Sequence, residues 1–178
     1  MELFVTRHGE TEWNAGGRLC GRTDLPLNET GRAQSGALAR ELAALQAPID
    51  LVIASPMIRA RQTAAILAQA LGVPVETDER LIEQHYGEFE GGSSAAPAFL
   101  HNKRQFAVRY PGGESMMQVA CRVYAFLDEL RTREGLRGVL LVSHGGTCRV
   151  LNTYFEDIAN DDFCQWRMQN AECRRYTL

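Results

Sequence analysis

The chain has 178 residues, and its 19 lysine and arginine residues against 22 aspartate and glutamate residues give a net charge of −3. A chain of this length fits one domain, so we expect residues 1–178 to fold as a single unit. Hydrophobic residues make up 45% of the sequence and charged residues 23%, which excludes a disordered or fibrous chain. The lack of a basic surplus argues against nucleic acid as a partner.

No apolar run approaches the roughly 20 residues that span a bilayer, and residues 1–6 are too short for the hydrophobic region of a signal peptide. We therefore expect a cytoplasmic protein with no membrane partner. The five cysteines are scattered and form no Cys-x-x-Cys pair, which argues against a disulfide framework and a zinc site. We expect reduced thiols.

Short apolar runs alternate with segments of helical period, which predicts an α/β domain on a largely parallel sheet. In chain order, we predict strands at residues 3–5, 51–54, 73–76, 139–142 and 174–178, the last of them at a sheet edge. Helices are predicted at residues 30–45 and 116–132 and just after His144. A further helix is predicted from Ser55, as the N-cap before Pro56, to a stop at Gly72.

The regular pattern is lost between residues 88 and 113, where a run of glycine, serine, alanine and proline precedes a mixed stretch. Long irregular segments of this kind often cover binding sites, so we predict a mobile lid here. The lid contains Lys103 and Arg104. These two side chains are candidates for gripping a second anionic group on a substrate.

Polar side chains that can perform chemistry follow the apolar runs, and a fourth segment adds a carboxylate before a glycine turn. Because the carboxyl ends of parallel strands converge on one crevice, we expect these residues to meet there. They are Arg7, His8, Arg59, Glu83 and His144.

This set of residues suits a phosphate ester. Arginine forks match the geometry of phosphate and stay charged at all relevant pH values, so Arg7 and Arg59 predict a bound phosphoryl group. Neutral imidazole is abundant near pH 7 and can attack phosphorus, which makes His8 the candidate nucleophile. Glu83 can then protonate the departing oxygen. This scheme requires no metal and no cofactor.

Residues 6–14, Thr-Arg-His-Gly-Glu-Thr-Glu-Trp-Asn, resemble the signature of the histidine phosphatase superfamily, which includes the phosphoglycerate mutases. Further matches follow in the family's order at residues 21–28, 55–63, 83–87, 111–115 and 143–145. The resemblance therefore covers most of the chain. It implies a three-layer α/β/α sandwich with a mostly parallel central sheet, as in phosphoglycerate mutase.

The resemblance also implies a role for each matching residue. His8 would be phosphorylated in the first step, and Glu83 would be the proton donor. The phosphate-binding positions match Arg7, Arg59, His144 and Asn14. The substrate-side positions match Cys20, Gly21, Tyr86 and Gly145, with Cys20 the weakest of these because its position often holds another residue type.

Neighbouring residues compete for two of these assignments. Arg61 lies two positions from Arg59 on a different helix face. Glu88 and Glu90 are alternatives to Glu83, which we prefer because a sheltered position before a glycine suits a proton donor.

These features predict a metal-independent hydrolase of small phosphate monoesters that works through a phosphohistidine. The first alternative is a phosphoglycerate mutase. The chain between the Glu83 segment and the second histidine is shorter than in the mutases that the sequence resembles, which argues against this alternative. The second alternative is a non-catalytic phospho-ligand binding module, disfavoured by the intact His8 and Glu83. Sugar phosphates, phosphoglycerates and nucleotide-pathway phosphomonoesters are all candidate substrates, and both a monomer and a homodimer stay open.

Overall fold

A computed structural model describes residues 1–178. Its five strands form one sheet in the order β3-β2-β4-β1-β5. All neighbouring strands are parallel except β5, which pairs antiparallel with β1. The strands are β1 (Glu2–Arg7), β2 (Leu51–Ala54), β3 (Val75–Thr77), β4 (Gly138–Ser143) and β5 (Cys173–Thr177).

Seven α-helices accompany the sheet, together with two short 3-10 helices at Glu79–Leu81 and Gly87–Phe89. The α-helices are α1 (Glu12–Ala15), α2 (Glu29–Ala44), α3 (Ile58–Leu71), α4 (Pro97–Lys103), α5 (Met116–Leu130), α6 (Gly145–Asn152) and α7 (Asn160–Gln165). No helix combines the length and the apolar composition needed to cross a bilayer.

The central strands are buried on both faces, as their continuous apolar runs predict. Side chains alternate between the two faces along each strand. One set, including Leu3, Val5 and Leu141, packs against α5 and α6. The other set, including Val52 and Leu140, packs against α2 and α3. The predicted α/β/α sandwich with a mostly parallel sheet is therefore confirmed, and β5 is the predicted edge strand.

The start of α3 differs from the prediction. The helix begins at Ile58, and its N-cap residue Met57 makes no side-chain capping bond. Asp24, from a distant loop, accepts a hydrogen bond of 2.7 Å from the Ile58 amide and fills that role. Ser55 is therefore not the N-cap; its hydroxyl lies 2.7 Å from Nε2 of His144.

Residues 88–113 hold more regular structure than predicted, because they include α4. Phe99 of this helix packs with Leu19, Tyr86 and Tyr110 in a small separate core. The segment begins at Gly87, whose φ is +56°. A Cβ there would lie 1.9 Å from the Pro111 carbonyl oxygen, so only glycine fits. That the segment moves as a lid stays a prediction.

Candidate active site

A cavity of about 400 Å³ opens where β1 and β4 end. Most of the residues predicted for the site line it, namely Arg7, His8, Asn14, Cys20, Glu83, Tyr86 and Gly145. Arg59, His144 and Gly21 are buried and do not line it. The strand ends thus bring the predicted residues together. Arg59 and His144 lie deeper in the protein than the residues that line the cavity.

His8 is held in one tautomer by the backbone. Its Nδ1 lies 2.7 Å from the carbonyl oxygen of Gly9. Because a carbonyl only accepts, Nδ1 carries the hydrogen and the neutral ring keeps a lone pair on Nε2. Burial, reinforced by the positive charges of Arg59 and Arg7, holds the pKa of His8 well below its ordinary value. The imidazole is therefore neutral near pH 7, the form that a nucleophile needs.

Arg59 and His144 form a hydrogen-bonded pair behind His8. Nε of Arg59 donates to Nδ1 of His144 over 3.2 Å, so the hydrogen of the neutral His144 ring lies on Nε2 and is donated to Ser55 Oγ. Burial, and then the charge of Arg59, lowers the pKa of His144 well below its ordinary value. The His144 ring centroid lies 5.0 Å from that of His8.

The guanidinium of Arg59 also binds the loop before α2. Its Nη1 donates to the Thr23 carbonyl over 2.8 Å, and its Nη2 donates to the carbonyls of Gly21 and Cys20. These bonds fix the loop that carries Cys20 to the cavity wall. Arg61, the competing arginine, is exposed and lies outside the cavity lining.

Arg7 has a buried donor with nothing to bind. Its Nη1 donates to the Met168 carbonyl over 3.0 Å, whereas its Nε is buried without a hydrogen-bond partner. An unsatisfied buried donor costs about 1–3 kcal/mol. Other atoms of Arg7 line the cavity, where its positive charge favours an anion, as expected at a phosphate site.

The carboxylate of Glu83 is held at the first turn of α6. Its Oε1 accepts hydrogen bonds from the amides of Gln84 and Thr147, at 2.8 and 3.1 Å, and from the Thr147 hydroxyl at 3.2 Å. Its Oε2 accepts only one, from the Gly146 amide at 3.0 Å. Oε2 therefore keeps a lone pair free for a further hydrogen bond.

The competing carboxylates lie elsewhere. Oε1 of Glu90 accepts from the amides of Gly21 and Thr23, at 2.8 and 3.1 Å, so this residue anchors the Cys20 loop. Neither Glu88 nor Glu90 lines the cavity. The structure also brings together no group of three or more His, Cys, Asp or Glu side chains that could hold a metal ion.

Two further predicted residues contact the cavity through side chains that are already fixed. The side-chain oxygen of Asn14 caps α1 by accepting from the Thr11 amide, which leaves the NH₂ group of Asn14 without a protein acceptor of its own. Tyr86 packs edge-to-face with Phe99 and Tyr110. Burial raises the pKa of the Tyr86 hydroxyl well above its ordinary value, so the group stays a neutral hydrogen-bond donor.

Residues 3–178 match the family model described as histidine phosphatase superfamily, branch 1. The chain belongs to the histidine phosphatase superfamily.

Relatives with curated names include phosphatases and mutases. Glucosyl-3-phosphoglycerate phosphatase of Mycolicibacterium vanbaalenii is 40% identical over 162 residues, which is 84% of this chain and 71% of that protein. A 2,3-bisphosphoglycerate-dependent phosphoglycerate mutase of Gloeobacter violaceus is 33% identical over 161 residues, covering 84% and 73% of the two chains.

A solved structure is also similar over nearly the whole chain. It is a mycobacterial glucosyl-3-phosphoglycerate phosphatase in complex with VO3, with a TM-score of 0.86 and 34% identity over 98% of this chain and 91% of that one. Together with the family, these similarities identify a histidine phosphatase.

The histidine phosphatase site also contains residues that the sequence reasoning missed. Arg149 of α6 lines the cavity; its position on the helix after His144 was an available signal. Asn170, which donates to the His8 carbonyl over 2.9 Å, follows no motif. Its place in the site depends on the pairing of β5 with β1, which no local pattern indicates.

The two basic residues of the predicted lid separate in the structure. Lys103 lines the cavity of the histidine phosphatase. Arg104 is exposed and forms an ion pair of 3.2 Å with Asp161 at the surface. Of the two candidates for gripping a second substrate anion, the structure therefore places only Lys103 at the cavity, because successive residues at a helix end point in different directions.

Proposed function

We propose that this histidine phosphatase hydrolyses small phosphate monoesters through a phosphohistidine on His8, without a metal ion. The observation that carries the proposal is the bond from His8 Nδ1 to the Gly9 carbonyl. It presents the lone pair of Nε2 as the nucleophile in a cavity lined by Arg7.

The first half-reaction transfers the phosphoryl group to the enzyme. Arg7 binds the phosphoryl oxygens, with the charge of Arg59 behind the site. His8 Nε2 forms a bond to phosphorus as the bond to the substrate oxygen breaks, and Glu83 Oε2 gives its proton to that leaving oxygen. The products are a free alcohol, a phosphohistidine and an ionised Glu83.

The second half-reaction releases phosphate. Glu83 takes a proton from a water molecule as its oxygen attacks phosphorus, and the N–P bond breaks. Inorganic phosphate leaves, and both His8 and Glu83 return to their starting states. Positioning and fixed positive charge supply most of the rate acceleration, as in other phosphoryl transfers.

Rapid quenching with a ³²P-labelled aryl phosphate tests the intermediate. We expect the wild-type enzyme to retain label that is lost in acid and kept in base, as a phosphohistidine behaves. The His8→Ala variant should retain no label and lose at least about 10³-fold in kcat, because it has no nucleophile. His101→Ala is the control, since this exposed histidine of α4 lies outside the cavity lining.

Two results would reject the proposal. One is a His8→Ala variant that turns over at the wild-type rate. The other is a wild-type enzyme that interconverts 2- and 3-phosphoglycerate many times for each phosphate released, which would make it a mutase.

A further inference from the structure

The backbone of residues 8–10, which carries the nucleophile, lies outside every helix and strand. Even so, all six of its amide and carbonyl groups have hydrogen-bond partners within the chain. Backbone groups supply two of these partners, and the His8 ring supplies a third. The other three are side chains from distant segments, which we call the loop clamp: Gln34 of α2, Thr63 of α3 and Asn170 before β5.

Two members of the loop clamp hold the peptide group between His8 and Gly9. The His8 carbonyl accepts a hydrogen bond of 2.9 Å from Nδ2 of Asn170, and the Gly9 amide donates to Oγ1 of Thr63 over 3.0 Å. The C=O and N–H of a trans peptide point in opposite directions, so this peptide plane is fixed from both sides. Thr63 is fully buried, and its hydroxyl donates in turn to the Arg59 carbonyl over 2.9 Å, which turns a lone pair toward the Gly9 amide.

Gln34 holds the next peptide group, between Gly9 and Glu10. Its Oε1 accepts a hydrogen bond of 2.9 Å from the Glu10 amide. Because this peptide is also trans, the Gly9 carbonyl points away from Gln34, and it accepts the 2.7 Å bond from Nδ1 of His8. The side chain of Gln34 therefore sets the direction of the carbonyl that holds the nucleophile.

Two glycines allow Gln34 to reach the loop. A Cβ on Gly9 would lie 2.3 Å from the Gly31 carbonyl oxygen, and a Cβ on Gly31 would lie 2.1 Å from the Glu10 carbonyl oxygen. The loop thus lies directly against the first turn of α2, and Gln34 follows Gly31 by three residues on the same helix face. Glycine also leaves the backbone at position 9 free to rotate, so the direction of its carbonyl must be set by groups outside the loop.

The direction of the Gly9 carbonyl matters for the reaction. Neutral imidazole carries its single hydrogen on either nitrogen. With the carbonyl facing Nδ1 of His8, the hydrogen stays on Nδ1, and Nε2 keeps the lone pair that attacks phosphorus. A rotation of the Gly9–Glu10 peptide would remove that acceptor. The tautomer with its hydrogen on Nε2, which cannot attack, would then become accessible.

We infer that Gln34 is a positioning residue for the nucleophile and acts through the Gly9–Glu10 peptide to hold His8 in the reactive tautomer. Thr63 and Asn170 support it by holding the preceding peptide. This inference rests on the proposed function for the role of His8. It assigns a part in phosphoryl transfer to a side chain that does not line the cavity.

Two substitutions of Gln34 test this role kinetically. Gln34→Met removes the acceptor oxygen but keeps the side-chain length and a high helix propensity, so the variant should fold. We expect its rate of phosphoenzyme formation with an aryl phosphate to fall about 10- to 100-fold, as when partners that orient a metal-bound histidine are lost. Its inhibition constant for inorganic phosphate should stay at the wild-type value, because Arg7 is untouched. Gln34→Glu retains an acceptor oxygen and should recover most of the rate.

Gln62→Met is the matched control. Oε1 of Gln62 accepts a hydrogen bond of 2.8 Å from the Leu27 amide, so this variant also takes an amide acceptor away from a backbone N–H. Gln62, like Gln34, is half-buried on a helix. The two variants should lose similar stability in urea, but Gln62→Met should form the phosphoenzyme at the wild-type rate. Equal losses of rate in the two variants would reduce Gln34 to a structural role and overturn the inference.

NMR measures the tautomer of His8 without turnover. The ¹⁵N shifts of its ring nitrogens, recorded at about pH 8 where imidazole is neutral, are identified by their loss in His8→Ala. We expect hydrogen on Nδ1 alone in the wild type, Gln62→Met and Gln34→Glu, and a mixture of both tautomers in Gln34→Met. Wild-type His8 shifts in Gln34→Met would overturn the inference, whereas failure to trap a phosphoenzyme would refute only the proposed mechanism.

Discussion

Replacing Gly146 by alanine places a methyl group directly against the proposed proton donor. A Cβ at this position would lie 2.7 Å from Glu83 Oε1 and 3.0 Å from the Tyr86 hydroxyl. An ordinary van der Waals contact begins near 3.4 Å, so the carboxylate must move by about 0.7 Å or α6 must withdraw. Either movement strains the 3.0 Å bond from the Gly146 amide to Oε2.

The size of the effect follows from that displacement. A misplacement of about 1 Å costs about 10²-fold in rate, so we expect Gly146→Ala to lower kcat by about 30- to 100-fold, or about 2–3 kcal/mol in the activation barrier. The free energy of unfolding should fall by about 1–3 kcal/mol, because an added methyl group overpacks a buried contact. KM should change less, since Arg7 and His8 keep their positions.

Steady-state hydrolysis of an aryl phosphate and urea unfolding measure the two effects. Gly36→Ala is the control, because its Cβ would meet nothing nearer than an Arg40 side-chain nitrogen at 3.7 Å on the outside of α2. This control should keep the wild-type kcat and gain up to about 1 kcal/mol of stability from the helix preference for alanine. Wild-type kcat in Gly146→Ala would refute the placement of Glu83 at the reacting centre.

Three further predictions concern the two buried histidines and the metal-independent mechanism. The pKa values of His8 and His144 are lowered in the folded protein. Below about pH 6.5 the unfolded chain therefore binds protons that the folded protein does not. The free energy of unfolding should drop by up to about 1.4 kcal/mol per pH unit for each histidine as the pH falls. A flat urea-midpoint profile from pH 7 to 5.5 would contradict this. Ser55→Ala should cost about 1–3 kcal/mol in the same assay by leaving His144 Nε2 unpaired, and a change below 0.5 kcal/mol would argue against that bond. Dialysis against EDTA should leave kcat unchanged, and a strict requirement for added magnesium or zinc would contradict the metal-independent mechanism.

Periodicity predicted the largely parallel sheet and its longer helices, and the family resemblance implied the three-layer sandwich. The buried runs at β2 and β4 and the apolar stripes of α2 and α5 are local features, and convergence at strand ends then placed His8 and Glu83 in one cavity. Gly72 ends α3 as predicted, with a φ of +69°. This feature is predictable because the left-handed conformation depends on the residue type itself and not on distant contacts.

What sequence reasoning missed depends on contacts between distant segments. Ser55 has the residue type of an N-cap, yet Asp24 binds the end of α3 and frees the serine for His144. Lys103 and Arg104 are neighbours in sequence, but Lys103 lines the cavity and Arg104 lies at the surface. Only the position of α4 against the cavity decides this difference. Asn170 contacts His8 from a loop whose position depends on the pairing of β5 with β1. The sequence of that loop contains no motif that indicates this role.

The edge position of β5 has a consequence for biosynthesis. Of the five strands, β1 is synthesised first and β5 last, yet the two are neighbours in the sheet. The loop before β5 supplies the Met168 carbonyl that binds Arg7 and the Asn170 amide that binds the His8 carbonyl. A nascent chain therefore carries its nucleophile some 160 residues before it acquires the groups that fix it. Catalytic competence requires translation through Asn170, and fragments ending before Met168 are expected to be inert.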